Sequence, residues 1–459
     1  MPTSPRERAH DACPGVLRTH PAADGALARL RIPGGSLGGG AARMLAACAR
    51  DVSDGWLELT SRGNVQLRGL ADGAAAVLAA RAGAAGLLPS ATHERVRNIV
   101  GSPLSGRGAG GQRDIAPLVD AVDAGLCADP ELAALPGRML FAVDDGSGDL
   151  AALPADLTLR ALPAGETLLL VAGEPVALRM ADRTAVPALL AAARAFLDVR
   201  AAGGAAAAAW RVAELPTGRD RLLAAAAAAA RPAADTVLDG VLPEAAAGTG
   251  TAPVGARPGT HAQRDGRWAL TVLVPLGRLH ADQLDLLAAV AEDGGDGQVI
   301  VTPWRSVVLR DLDLAVLAGA SDRLGAAGLV VDPESGWVGV TSCAGRPGCA
   351  RALADVRRDA ARSAEVAGSV RRELRPVHWS GCARRCGQPA GEVVEVVADV
   401  AGYRIHGGSG AVLAVPWSDG GEPGELSVAG WGVLVDAVAA RRSVARRRCR
   451  DGREAGSWR

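Results

Sequence analysis

Four residue pairs in this chain share one separation, and that spacing restricts the fold more than composition does. Pro33 and Pro275, Leu37 and Leu279, Thr60 and Thr302, and Arg68 and Arg310 all lie 242 positions apart, as in 302 − 60. The early markers sit in L-A-R-L-R-I-P-G-G (27–35) and W-L-E-L-T-S-R-G-N-V-Q-L-R-G-L (56–70). The late ones sit in L-T-V-L-V-P-L-G-R-L (270–279) and Q-V-I-V-T-P-W-R-S-V-V-L-R-D-L (298–312). Alternation over 28–32 predicts a strand that stops at Pro33-Gly34-Gly35, and 56–70 reads as two strands joined by a tight turn at 60–64. Residues 40–50 read as a helix with Met44, Leu45 and Cys48 on one face, and a second helix is expected at 72–85. The later copy repeats the order, with a helix over 281–292. Each β-α-β unit is too short to bury its own apolar face, so the two are expected to pack together about a pseudo-twofold axis.

Two cysteine pairs carry the chemistry. T-S-C-A-G-R-P-G-C (341–349) places five residues between Cys343 and Cys349, and H-W-S-G-C-A-R-R-C-G-Q-P (378–389) places three between Cys382 and Cys386. Four thiolates in two close pairs suit a 4Fe–4S cluster, in which each iron takes one terminal thiolate, and the neighbouring glycines let backbone N–H groups approach the cluster sulfurs. Zinc is the second reading, and the five-residue gap fits it less well. Disulfides or unrelated buried thiols complete the alternatives, and disulfides sit poorly with a chain that shows no export signal. The 242-residue offset puts Gly101, Leu140 and Asp144 opposite Cys343, Cys382 and Cys386, so the first copy has the frame without the cysteines. One copy would then hold the metal while the other supplies part of a ligand pocket. His378, four residues before Cys382, reads as a hydrogen-bond donor near the cluster, with ligation of a second iron as the other role. Cys13, Cys48, Cys127 and Cys449 belong to no metal motif and read as inert.

A chain of 459 residues has room for two to four domains. Its 50 basic and 50 acidic residues cancel, which disfavours a nucleic-acid or anionic-membrane partner. Every one of the 50 is arginine, so arginine enrichment at any one site carries less weight than usual. The opening M-P-T-S-P-R-E-R-A-H lacks a signal-peptide core, and the apolar run Leu222–Ala230 is too short to span a bilayer, so a soluble, cytoplasmic protein is expected. Alanine-rich 186–231 reads as helical. Gly- and Pro-rich 240–262 reads as a flexible connector. Residues 392–405 read as strands, 425–441 as a strand and then a helix, and R-R-S-V-A-R-R-R-C-R (441–450) as a solvated basic end.

Several of these stretches together resemble the sulfite/nitrite reductase superfamily: R-I-P-G-G (31–35), T-S-R-G-N-V-Q-L-R-G (60–69), R-N-I-V (97–100) and both cysteine pairs. Within it, A-C-P-G (12–15), H-E-R-V-R-N-I (93–99) and V-T-P-W-R (301–305) look most like the precorrin-3B synthases. The resemblance implies an internally duplicated α+β architecture, with two ferredoxin-like half-domains forming one pseudo-twofold domain and two α+β domains holding tetrapyrrole and cluster. The expected boundaries are 22–86 and 264–328 for the half-domains, 87–235 and 329–445 for the larger domains, and 236–263 for a linker. The implied reaction is oxygen-dependent conversion of precorrin-3A to precorrin-3B, in which C20 is hydroxylated and the ring-A acetate closes a lactone, in aerobic cobalamin biosynthesis. Reducing equivalents would come from a reduced nicotinamide nucleotide through a separate electron-donor protein. A mononuclear non-haem iron is also implied, without ligands that the residues identify.

A polycarboxylate macrocycle calls for guanidinium groups, which bind carboxylates bidentately. Arg31, Arg62, Arg68 and Arg97 fall in or beside the matched motifs and are the expected substrate-binding residues. Arg138 joins them, because it matches a position where the reductases have a basic residue facing the active site. Two residues on, where the reductases have a lysine, stands Leu140, and that loss of charge speaks against reduction of a small oxyanion. A sirohaem-dependent sulfite or nitrite reductase is the alternative, and a non-enzymatic iron–sulfur carrier or sensor the third reading.

Overall fold

The computed structural model describes residues 13–230 except 173 and 175, then 240–241, 253–368, 374–389, 391–407, 411–418 and 424–443. Cys449 and most of the basic end lie outside the described residues. The chain divides into one compact unit of residues 1–333 with 347–350, and a second of 334–346 with 351–459.

The repeated pattern builds two five-stranded sheets in the first unit. One contains β1 (His20–Ala22), β2 (Gly25–Leu30), β4 (Trp56–Leu59) and β5 (Val65–Leu70), and the other β12 (Gly259–Ala262), β13 (Trp268–Leu273), β15 (Gln298–Val301) and β16 (Ser306–Leu312). Each copy lends a short strand to the other. β3 (Ser36–Gly38) completes the order β12-β13-β16-β15-β3, and β14 (Arg278–His280) completes β1-β2-β5-β4-β14. Both exchanged strands pair antiparallel, with Leu37 opposite Val299 and Leu279 opposite Leu57. Helices α1 (Gly39–Val52) and α6 (Ala281–Gly294), with α2 (Ala74–Ala84) and α7 (Leu314–Ala326), cover the sheets, and one apolar core runs through both copies. The expected joint packing of the two halves is therefore present.

Local chemistry repeats as well. Thr60 Oγ1 accepts the N–H groups of Arg62 and Asn64, and Thr302 Oγ1 those of Trp304 and Ser306. The turns before the exchanged strands use left-handed Gly34 (φ 65°) and Gly35 (φ 73°) in one copy, and Leu276 (φ 54°) and Gly277 (φ 71°) in the other.

A third sheet of the first unit runs β11-β10-β9-β8-β7-β6, comprising β6 (Ile99–Gly101), β7 (Phe141–Asp144), β8 (Leu157–Leu162), β9 (Glu166–Val171), β10 (Val176–Ala181) and β11 (Gly240–Val241). The first three are parallel to one another and the rest antiparallel. Helices α3 (Ala116–Ala128), α4 (Asp182–Ala201) and α5 (Arg219–Ala230) enclose a separate core, as the alanine-rich sequence leads one to expect.

The second unit repeats this sheet as β17 (Val340–Ser342), β18 (Val377–Ser380), β19 (Val394–Asp399), β20 (Gly402–His406) and β21 (Leu413–Pro416), again three parallel strands followed by two antiparallel ones. It also carries α8 (Val356–Ala367) and α9 (Val428–Arg442).

Three expectations change. Within 425–441 there is no strand among the described residues, only α9 preceded by irregular chain, because Ser427 caps a helix by accepting the N–H of Gly430. Residues 259–262, read as connector, form edge strand β12. The constant offset also fails beyond β6. Phe141 in the first copy takes the place of Val377 in the second, because each opens the strand that pairs with the first parallel strand. Cys343 then corresponds to Ser102 rather than Gly101, and Cys382 to Gly146 rather than Leu140, with Gly381 corresponding to Asp145. Among the described residues no helix is long and apolar enough to cross a membrane.

Candidate functional site

In the second unit the cysteines follow the ends of parallel strands. β17 and β18 pair Ser342 with Trp379, so the chain leaves both strands at one sheet edge, Cys343 directly after β17 and Cys382 two residues after β18. Parallel sheets present loops for ligand binding at such carboxyl ends. The Gly381 N–H donates to Cys343 Sγ at 3.2 Å. Burial pushes the Cys343 thiol up, opposed by the N–H groups of Gly381 and Gly345, and the charges of Cys386 and Cys382 also act on it. The three thiols therefore act electrostatically on one another. A tight turn with Arg385 (φ 50°) and Gly387 (φ 82°) carries Cys386. His378 is buried, with Nδ1 against Thr341 Oγ1 at 2.9 Å and Nε2 against the Cys386 carbonyl oxygen at 3.2 Å. Both ring nitrogens are engaged in holding the loop, which favours the hydrogen-bonding role over iron ligation. Ser342 Oγ, Ser380 Oγ and Trp379 Nε1 are buried without a hydrogen-bond partner. Orphaned donors beside N–H-supported thiols fit the demands of a sulfide-bearing cluster.

Cys349 lies on the segment 347–350, which groups with the first unit. There the Arg68 guanidinium donates to the Gly348 carbonyl at 2.6 Å and is paired with Asp24 at 3.0 Å. Arg68 therefore anchors the chain next to Cys349.

The first unit gathers cations. Arg31, in the extended chain just past β2, is 1% exposed; Nη1 donates to the Pro14 carbonyl at 3.2 Å, while Nε and Nη2 have no hydrogen-bond partner. Burial, then the charge of Arg29, lowers its pKa to about 9, and Arg62 adds to the effect. Arg62, on the Thr60 turn, is lowered to about 10 by burial and by the charges of Arg211 and Arg138. Arg138 lies over the Trp210 ring at 5.7 Å, and Arg211 pairs with buried Asp156 at 2.6 Å. A fully buried guanidinium with two unused N–H groups, surrounded by other cations, is a site for an anion.

Asparagines hold this arrangement. Asn64 Oδ1 accepts the Ile32 N–H at 2.9 Å, Asn64 Nδ2 donates to Asn98 Oδ1 at 3.0 Å, and Asn98 Nδ2 donates to the Gly137 carbonyl at 2.9 Å. The Gly137 carbonyl also receives Arg62 Nη1 at 3.4 Å. Both asparagines sit inside motifs in which only the arginines suggest a site, whereas Arg29 and Arg211 lie outside every matched motif and carry no sequence signal.

Arg97 is placed differently from the expectation. Its buried guanidinium grips half-buried Asp123 at 2.7 and 2.6 Å and donates to the Leu87 carbonyl at 3.0 Å, so it has no free edge for a substrate carboxylate. Leu140 is buried among Val100, Ala142 and Leu150 and brings no charge.

Two other features of the first unit do not suit a polycarboxylate. A cavity of about 370 Å³ is lined by Gly108–Gly111, Asp145, Asp149 and His261 and contains no arginine. Asp144, Asp145 and Asp149 form an acidic group with ligand atoms within 4.8 Å of one another. Its oxygens already accept from Gly146, Gly148, Ser147, Gly106 and Ser102, and Arg160 lies 3.5 Å from Asp144. Asp144 Oδ2 is buried without a hydrogen-bond partner, 3.5 Å from Arg160 Nε, while Asp145 and Asp149 accept from the protein.

Comparison with known proteins agrees with the fold. Residues 20–85 and 261–327 match the nitrite/sulfite reductase ferredoxin-like half domain. A ferredoxin–nitrite reductase of Synechococcus elongatus is 28% identical, with 86% of this chain and 83% of that protein covered. A precorrin-3B synthase of a Sinorhizobium species is 26% identical, with 86% of this chain and 82% of that protein covered. The solved structure of the Mycobacterium tuberculosis NirA protein shares the fold, at 19% identity and TM-score 0.62 over 88% of this chain and 77% of that one. The two matched half-domains and the shared fold are those of the sulfite/nitrite reductase superfamily, and the nitrite reductase and synthase relatives are oxidoreductases.

Proposed function

We propose that the chain is an oxygen-dependent monooxygenase that converts precorrin-3A to precorrin-3B. The observation that carries the reading is Arg31, buried, charged and with two N–H groups unused, inside a cluster with Arg29, Arg62, Arg138 and Arg211. Such a cluster suits the several carboxylates of a macrocycle better than one small oxyanion. Apolar Leu140 supports the same choice, because a small oxyanion needs cations on all sides.

Cys343, Cys349, Cys382 and Cys386 would hold a 4Fe–4S cluster, as their spacing suggests. When bound, the cluster supplies electrons one at a time, ultimately from a reduced nicotinamide nucleotide through a donor protein. Arg31 and Arg62 fix acetate or propionate groups and so set the orientation of the ring. The Asn64–Asn98–Gly137 network keeps Arg62 in place, and the apolar group around Leu140 excludes water. Overall, precorrin-3A, dioxygen, the reduced nucleotide and a proton give precorrin-3B, the oxidised nucleotide and water.

The test is titration of precorrin-3A into wild type, Arg62→Gln and Arg97→Gln. A charge-assisted hydrogen bond contributes roughly 1.5–3 kcal/mol, so Arg62→Gln should weaken binding about ten- to a hundredfold. Arg97→Gln should instead lower stability by about 1–3 kcal/mol, because it removes the donors that half-buried Asp123 accepts from. Unchanged affinity in Arg62→Gln would remove that residue from the site. The second reading, a sirohaem-dependent nitrite or sulfite reductase, is favoured by the similarity to nitrite reductases. It forecasts copurifying sirohaem and robust turnover of nitrite or sulfite, either of which would overturn the monooxygenase.

A further inference from the structure

Strand register brings three aromatic rings of the second unit into one chain of contacts. Trp379 of β18 stands opposite Val396 of β19, and Tyr403 of β20 stands opposite Ala398, two residues further along β19. Alternation along a strand therefore sends both rings to one face of the sheet. Their centroids lie 5.6 Å apart with the planes at 86°. Trp417, just past β21, is held by its N–H on the Ala401 carbonyl at 3.2 Å and by Nε1 on the Asp399 carbonyl at 3.0 Å. Its ring meets Tyr403 at 4.8 Å and 66°. Both are the edge contacts that aromatic pairs prefer. Trp379 and Tyr403 are fully buried, and Trp417 is half-buried. At the inner end the Trp379 carbonyl accepts the Cys343 N–H at 2.9 Å.

The middle ring also has a base. The Tyr403 hydroxyl donates to Asp359 Oδ2 at 2.6 Å, a buried contact. Asp359 stands in the first turn of α8, where unpaired backbone N–H groups favour a carboxylate, and its other oxygen accepts from Arg358 Nε at 3.4 Å. Burial, opposed by the Tyr403 hydroxyl, raises the proton affinity of Asp359. Burial, then the charge of Asp359, pushes the Tyr403 hydroxyl well above the usual phenol range. The phenol therefore keeps its proton at rest. Removing an electron from a phenol makes it a strong acid, and Asp359 is then in place to take the proton along an existing hydrogen bond. A core phenol needs only an acceptor, and a backbone carbonyl would serve. Here the acceptor is ionisable, and tryptophans flank the phenol on both sides.

We propose that Tyr403 is a redox-active residue that takes up single oxidising equivalents, with Trp417 as their entry and Asp359 as the proton acceptor. The reactant class is a high-potential one-electron oxidant, such as a radical derived from dioxygen. The oxidant takes one electron from the Trp417 ring, Tyr403 returns one to Trp417, and the phenolic proton passes to Asp359 Oδ2. The balance is an oxidant reduced by one electron, a neutral tyrosyl radical and a protonated Asp359. An ascorbate-class reductant returns the electron through Trp417, and the proton goes back along the same hydrogen bond. An equivalent held on Tyr403 is kept from the thiol of Cys343 behind Trp379. This rests on the ring contacts and the Tyr403–Asp359 bond, and it is independent of which tetrapyrrole the chain takes.

The chain contains one tyrosine, so any tyrosyl radical arises at Tyr403. In the experiment, photoexcited tris(bipyridine)ruthenium(II) with a cobalt(III) ammine as electron acceptor generates the one-electron oxidant beside the whole chain. The radical is read by transient absorption and by EPR of freeze-trapped samples. Wild type should give a neutral tyrosyl radical, formed more slowly in heavy water because the proton moves with the electron. Tyr403→Phe should leave the oxidation on tryptophan. Trp417→Phe should lower the tyrosyl yield, since fully buried Tyr403 is reached through that ring. Asp359→Asn should lower it by about tenfold or more, the factor that a lost charge-assisted hydrogen bond is worth. Should Asp359→Asn not fold, the heavy-water comparison in wild type tests the proton step without it. Tryptophan radicals with no tyrosyl radical in wild type would overturn the proposal. So would a tyrosyl yield unchanged in Trp417→Phe or in Asp359→Asn, or equal rates in light and heavy water. None of these outcomes bears on precorrin-3A binding, so failure here and failure of the monooxygenase reading are distinguishable.

Discussion

Among single residues, partners decide what a charge does. Arg31 and Arg97 both sit in motifs and are both buried, yet one has two idle N–H groups and the other is closed by Asp123. Asp123 lies 26 residues from Arg97, on α3, a partnership that no local pattern announces. Asp149 shows the opposite balance. Burial, then the charge of Asp145, pushes its carboxyl up to about 8, although Ser102 donates to it. The native protein therefore binds a proton that the unfolded chain has lost between the ordinary carboxylate value and about pH 8. Stability attributable to this group should fall as pH rises through that window and level off above it. Asp149→Asn removes the ionisation, so its thermal midpoint relative to wild type should climb from about pH 5 to about pH 8. Parallel pH profiles for the two proteins would show that Asp149 titrates normally.

Among elements, the repeat was legible where side chains mark it and silent where only backbone does. Pro33 and Pro275 or Thr60 and Thr302 announce equivalent turns because a fixed φ or a hydroxyl cap is needed there. The strand exchange was not legible, since β3 and β14 have three residues each and three residues show no period. Gly35 carries the cost of that exchange. It is left-handed, and a Cβ on it would lie 2.0 Å from the Val301 carbonyl oxygen of the neighbouring strand. Gly277, its counterpart, would meet only the Arg305 side chain, at 2.7 Å. The left-handed conformation alone costs an alanine about 1–2 kcal/mol at either position. Gly35→Ala should therefore cost clearly more than Gly277→Ala in chemical denaturation, because backbone cannot move aside as an arginine can. Equal losses would mean that β3 and β15 separate easily.

For the whole molecule, one sheet is used twice with different chemistry at the same edge. Sequence comparison at constant offset identified the duplication but misaligned these loops, because the connection between the first two parallel strands is a different length in each copy. Structure aligns them through one hydrogen bond: Gly381 N–H to Cys343 Sγ in the second unit, Asp145 N–H to Ser102 Oγ in the first. Oxygen in place of sulfur goes with a loop that closes on itself, as Asp144 Oδ1 accepts from Gly146 and Gly148, and Asp145 from Ser147 and Gly106. The cysteine loops leave the hydroxyls of Ser342 and Ser380 without partners. Their order should then depend on a bound cluster, whereas residues 102 and 144–149 should be indifferent to it. Hydrogen exchange read by mass spectrometry can compare iron-loaded protein with protein stripped by ferricyanide and chelator. A loss of about 1.4 kcal/mol in local opening free energy is a tenfold gain in exchange rate. Exchange across 343–346 and 381–387 should rise by at least about that factor on stripping, with 144–149 unchanged. Equal exchange in the two forms across 381–387 would mean that the protein alone supports these loops, and the cluster assignment of Cys382 and Cys386 would fall with it.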